Sequence, residues 1–122
     1  MNDIMKGNAP TVLTKATIRA ADMLGLQSTD LARILGVNTA TVSRYKSASA
    51  CIMPASKTGE LALLLIRVFE SLDRLVSSDS EKRKAWMCSS NKTLNGVPTK
   101  LLQRPDGLVR TLDYLDGMRV EA

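Results

Sequence analysis

Apolar residues recur along most of this chain at intervals of three and four, the period of a helix with one buried face. The clearest run is ELALLLIRVFESLDRLVS, residues 60–77. There Leu61, Leu65, Val68, Leu72 and Leu75 form one stripe, and Ala62, Ile66 and Phe69 widen it. Arg67, Glu70 and Arg74 hold the polar side at spacings that let opposite charges pair. The unbroken apolar stretch from Leu61 to Ile66 circles the helix completely. That pattern places the helix either at the centre of the fold or against a second copy of the chain.

Weaker periodicity fills in the rest. Residues 1–10 are polar and aperiodic, with Gly7 and Pro10, and read as a loose arm. Leu13, Ala16, Ala20, Met23 and Leu24 predict a helix over 11–24, stopped by Gly25. Ser28, with Thr29 as a competitor, is placed to cap a short helix with Leu31, Ala32, Ile34 and Leu35 inside, ending at Gly36. A further short helix runs from about Thr39 to Tyr45 or Lys46, with Val42 and Tyr45 inward. Residues 47–59 read as a connection broken by Pro54, with Cys51, Ile52 and Met53 packing locally on the core. Past SSDS, where Asp79 or Ser80 caps, a helix spans 81–89. An irregular stretch follows, then a short helix over 99–103 and a last one over 105–116. That last helix turns Leu108, Val109, Leu112 and Leu115 inward and ends at Gly117. No stretch alternates as a strand would, so the fold class is all-α.

Composition narrows the chemistry. The 122 residues carry a net charge of +5, and the stretch between Asp30 and Glu60 has no acid but contains Arg33, Arg44, Lys46 and Lys57. A basic bias of this kind suits a polyanionic partner. The chain has no histidine and two widely separated cysteines, Cys51 and Cys88. A Ser-His-Asp arrangement or a histidine-ligated zinc is therefore excluded within one chain. No carboxylate pair or phosphate loop stands out, so no enzyme, metal or cofactor is expected. The cysteines read as buried free thiols of a reducing compartment. With no apolar run of membrane-spanning length and no signal-peptide core at the N-terminus, the protein is expected to be cytoplasmic.

Two steeply crossing short helices need a small residue where they approach and a residue free to take positive φ at the turn. Ala32 and Gly36 supply these, and Val42 pins the second helix to the first. Over residues 11–58 this resembles the helix-turn-helix of the Cro and Xre repressors. The resemblance implies that the second helix enters the major groove, offering Thr39, Ala40, Thr41, Ser43 and Arg44 to base edges. Gln27, Ser28 and Lys46 then fall at phosphates. One Arg and one Lys on the reading helix predict weak binding by one subunit and a two-fold site for two. A fold that keeps this shape without binding DNA is the alternative.

The stretch AWMCSSNKTLNGVPTKLLQRPDG, residues 85–107, is the most punctuated in the chain. Taken singly, Trp86 would be a core residue and LNGVP a turn. Together, Trp86, Asn91, Leu94, Gly96, Pro98, Leu101, Leu102, Gly107 and Val109 fall as W-x4-N-x2-L-x-G-x-P-x2-L-L-x4-G-x-V. This resembles the toxin-binding domain of the MbcA/ParS/Xre antitoxins, which join it to a Cro-like helix-turn-helix in the same order. The chain departs from many relatives in reading CSS, without a proline, ahead of Asn91.

The resemblance implies an antitoxin of a type II toxin–antitoxin pair. Residues 11–58 would read DNA and repress the protein's own operon, and residues 59–122 would bind the toxin. The partner implied is a RES-domain toxin that degrades NAD, or a related toxin that ADP-ribosylates its target. Asn91, Leu94, Gly96 and Pro98 would shape the toxin-binding scaffold. Gly117, Met118, Arg119, Val120, Glu121 and Ala122 would form a tail placed at the toxin's active-site opening, with Arg119 offering a charge and Val120 an apolar contact. A homodimer through helix 60–77 is expected. A stand-alone dimeric regulator with no toxin partner is the alternative function.

Overall fold

The helix that carries the strongest apolar stripe lies between two others, and this arrangement organises the molecule. In a computed structural model, which describes the backbone of residues 2–121 and the side chains of residues 8–118, seven helices follow one another. They are α1 (Asn2–Met23), α2 (Ser28–Leu35), α3 (Thr39–Lys46), α4 (Lys57–Leu75), α5 (Ser80–Cys88), α6 (Pro98–Leu101) and α7 (Pro105–Glu121). Among the described residues there is no strand, only an isolated bridge between Asn91 and Gly96. The fold is all-α.

α4 packs on α1 along one side and on α7 along the other. Ala62, Leu65, Val68 and Leu72 are fully buried in these contacts. One continuous apolar cluster runs from Leu13 of α1 and Leu24 just after it, through Leu31, Leu35 and Val42 of the short helices, to Leu102, Leu108 and Leu115. The N-terminal and C-terminal halves therefore share one core, which is how a chain of this length secures enough buried surface. Arg67 does not use its helix neighbour Glu70; its guanidinium lies 3.7 Å from Asp116 of α7.

Several boundaries differ from the sequence expectation. The arm read as loose is helical from Asn2, because the φ that proline fixes is itself a helical φ, and Pro10 costs α1 one donor without breaking it. α2 is capped by Gln27, one residue before Ser28, and Asp30 Oδ2 accepts the Gln27 backbone N–H at 3.0 Å. Asp79, not Ser80, caps α5, accepting from Glu81 N and Lys82 N. α4 starts at Lys57 under a Ser56 cap. In the connection before it only Ile52 is buried, its N–H held by Thr14 Oγ1 at 2.8 Å, while Cys51 and Met53 face outward.

Both cysteines are free, as expected, but both are exposed, not buried. Ile52 takes the one inward position beside Cys51, and Cys88 lies at the outer end of α5, next to the buried Met87. Val109 is 43% exposed, because the core face of α7 is already complete with Leu108, Leu112 and Leu115. Gly117 does not stop α7, which continues to Glu121. A glycine ends a helix by taking positive φ, and the positive-φ glycines here are Gly25 and Gly36 alone among those described. Inside a helix Gly117 merely weakens it.

Candidate functional site

Two regions hold the residues singled out from the sequence. The first is the α2–α3 pair. Leu31, Ala32, Ile34 and Leu35 bury one face of α2, and Val42 and Tyr45 bury the matching face of α3. Gly36 takes φ +72° at the turn, and Val37 N donates to Ala32 O at 3.0 Å, closing the end of α2. Asn38 then caps α3 through a 2.8 Å bond from Thr41 N to its side-chain oxygen.

These constraints leave one face of α3 outward. Thr39, Ala40, Ser43, Arg44 and Lys46 are exposed, and Thr41 is half-buried. Gln27 is exposed and Ser28 half-buried at the start of α2. The Arg44 guanidinium has no hydrogen bond or ion pair among the described residues. Lys46 Nζ donates to Ser28 Oγ at 2.6 Å, so these two candidates, eighteen positions apart, meet. All eight residues proposed from the sequence for DNA thus lie on α2, α3 and the Gln27 cap between Leu26 and α2.

The second region is the loop between α5 and α6. Asn91 closes it: its N–H donates to Gly96 O at 2.8 Å, Gly96 N returns a bond to Asn91 O, and its side-chain oxygen accepts Leu94 N at 3.0 Å. The side chain of Asn91 therefore serves the loop itself. Asn95, not Gly96, takes the left-handed conformation, at φ +58°. Gly96 is needed for closeness instead, since a Cβ there would sit 3.1 Å from a methyl of Leu101. Pro98 opens α6, where its missing N–H goes unneeded. Gly107 is tighter still, because a Cβ would strike the backbone of Leu101.

Leu94 and Pro98 are buried and Asn91 and Gly96 half-buried, so this motif mostly builds the scaffold. Trp86 of α5 stacks on Tyr114 of α7 with ring centres 6.5 Å apart. In the tail, Gly117 is exposed and Met118 half-buried. The side chains of Arg119, Val120 and Glu121, and all of Ala122, lie outside the described residues.

Sequence reasoning missed the residues that tie these regions together. Arg110 Nη2 donates to Leu94 O at 2.7 Å, fixing the loop to α7. Thr99 Oγ1 donates to Met87 O at 2.8 Å, fixing α6 to α5. Gln103 reaches across to α2, its Nε2 donating to Asp30 Oδ1 at 3.1 Å and its Oε1 accepting from Arg33 at 3.4 Å. Periodicity could place Arg110 and Gln103 off the core face, but partners sixteen positions away for Arg110 and seventy or more for Gln103 leave no local pattern.

No cluster of His, Cys, Asp and Glu suited to a metal occurs among the described residues, and no helix there is long and apolar enough to cross a membrane. A family model described as an antitoxin Xre-like helix-turn-helix domain matches residues 5–67. A second, described as an antitoxin Xre/MbcA/ParS C-terminal toxin-binding domain, matches residues 67–119. The two matches meet at Arg67, within α4. Among curated proteins none matches the chain.

Proposed function

Because the chain belongs to the Xre antitoxin family, with a helix-turn-helix domain followed by a toxin-binding domain, we propose that it silences one particular kind of toxin. That toxin is a RES-domain enzyme that degrades NAD, or a related ADP-ribosylating enzyme, and the antitoxin covers its active site without doing chemistry. The protein also represses its own operon through α2 and α3, acting as a homodimer in the cytoplasm.

The observation that carries the occlusion reading is how α7 ends. Among the described residues Leu115 is the last that α7 buries in the core, and Ser71 Oγ holds the neighbouring Asp116 at 2.9 Å. The helical backbone then continues to Glu121. The end that would face the toxin is thus delivered on a helix anchored by the fold, which lowers the entropy to be lost on binding. The homodimer is supported by an apolar groove of about 600 Å³ between α1 and α4. Val12, 62% exposed, and Leu63, 48% exposed, stand on its rim.

The test is to induce the reading frame adjoining this gene with and without the protein while following growth and cellular NAD. Growth arrest with falling NAD, relieved by co-expression, is the expected result. A chain ending at Asp116 should fail to relieve it. A harmless neighbour, or arrest that co-expression does not relieve, would overturn the proposal in favour of a stand-alone regulator.

A further inference from the structure

Beside the reading helix lies a cleft of about 510 Å³ that the sequence did not suggest. Its floor is apolar. Its rim carries Lys15 and Arg19 of α1 and Lys46 of α3, with Gln27 and Ser28 at the start of α2 and a single acid, Asp22. Three cations against one carboxylate leave an excess of two positive charges. Lys15 and Arg19 are one helical turn apart and exposed, so they project from one face of α1. Neither forms a hydrogen bond or ion pair among the described residues. Lys46 is oriented across the cleft by its bond to Ser28 Oγ.

We infer that this cleft binds a phosphate ester, and that its source is the backbone of the DNA that α3 reads, which brings α1 into the interface. Two observations favour that source. Gln27, Ser28 and Lys46 line both the cleft and the face offered to DNA, so a duplex seated on α3 passes the cleft mouth. The N–H groups of the first turn of α2, which no carbonyl of that helix can reach, lie at the same edge and add a partial positive charge. Lys15 and Arg19 are then contacts that position the protein without reading sequence, and Arg44 remains the residue that reads bases. The inference rests on the DNA-binding part of the function proposed above.

The experiment is retardation of the DNA upstream of the gene over a series of salt concentrations, using the wild type, Lys15→Gln/Arg19→Gln and Arg44→Ala. Each phosphate contact contributes about 0.9 to the slope of log affinity against log salt. The double variant should lose about two from that slope and about tenfold or more in affinity at roughly 0.1 M salt, with base preference unchanged. Arg44→Ala should instead alter base preference. Both substituted side chains are exposed, and an unchanged thermal melt confirms that the double variant folds.

A double variant with wild-type slope and affinity overturns the inference while leaving DNA binding intact. A wild type that retards no DNA removes both. Adenosine monophosphate supplies the other arm: if it shifts the amide resonances of Lys15, Arg19 and Ser28 below millimolar concentration while the salt slope is unaltered, the cleft serves a free phosphorylated ligand and the DNA assignment is wrong.

Discussion

Arg83 of α5 is almost wholly buried, and its Nη1 donates to Asp73 Oδ1 near the end of α4 at 2.6 Å. Its Nε donates to the carbonyl of Met23, the last residue of α1, at 2.8 Å, and its Cζ lies 5.7 Å from the centre of the Phe69 ring. One cation thus joins the C-terminal turns of two helices, the ends that carry partial negative charge. It also locks α5, and with it the loop before α6, to α1 of the N-terminal half.

Removing this side chain should therefore be among the costliest single changes in the protein. Arg83→Ala empties a buried volume and takes the guanidinium donor from Asp73 Oδ1 and from the Met23 carbonyl, leaving Asp73 only the Ser78 hydroxyl on Oδ2. Breaking one side of a buried pair costs about 3–5 kcal/mol. Arg83→Met, which keeps most of the volume, should lose less. Urea denaturation followed by circular dichroism measures both. Equal losses for the two variants would mean that the charge and its hydrogen bonds, not the filled volume, hold the three helices.

The glycines make a sharper pair. A Cβ at Gly107 would press on the backbone of Leu101, which cannot move aside without shifting α6, whereas at Gly117 nothing lies within 4 Å. Gly107→Ala should destabilise by about 1–3 kcal/mol through overpacking. Gly117→Ala should stabilise by about 0.5–1 kcal/mol, because alanine holds a helix interior better than glycine. The sign of the second change reports directly on whether α7 passes through that position as a helix.

Asn95 offers a third case. It holds φ +58° in the loop, a conformation asparagine tolerates and glycine takes freely. Asn95→Gly should be close to neutral in a thermal melt, while Asn95→Val should lose about 1 kcal/mol or more to backbone strain. Asn91→Ala should lose about 1–3 kcal/mol, since Leu94 N is left without its acceptor. If Asn91→Ala instead melts like the wild type, the loop is held by Arg110 and the Leu101 contacts alone.

What the sequence made legible follows from the range over which each signal acts. α2 and α3 were readable almost to the residue, because a helix of two turns with a fixed buried face leaves little freedom in which side chains face out. That is why the outward side of α3, over residues 39–46, came out of the pattern. The start of α1 was not readable, since residues 1–10 carry no apolar period and Pro10 and Gly7 look like breaks. Gly117 misled for a related reason: composition marks a glycine, but only its φ decides whether it stops a helix. The exposed cysteines and Val109 show the same limit, because a residue's type biases burial without fixing it. Arg83, Gln103 and Arg110 were invisible because their partners lie ten to seventy-three positions away. Lys15 and Arg19 gave no signal of their own in the sequence, because only the fold brings Lys46 and the start of α2 to the same cleft.

The α1–α4 groove decides the oligomeric state proposed for the protein. Burying Val12 and Leu63 against the same surface of a second copy removes apolar area from water at about 25 cal/mol per Å². A charge placed there must be desolvated without a partner. Leu63→Glu should therefore shift the protein from dimer to monomer in sedimentation equilibrium, with an unchanged helical spectrum, because Leu63 is already half in water in the single chain. The change should also weaken operator binding far more than binding to a single half-site, since only the dimer engages two half-sites at once. A Leu63→Glu protein that remains dimeric would place the two-fold contact elsewhere, and a wild type that sediments as a monomer would leave α3 to bind half-sites one at a time.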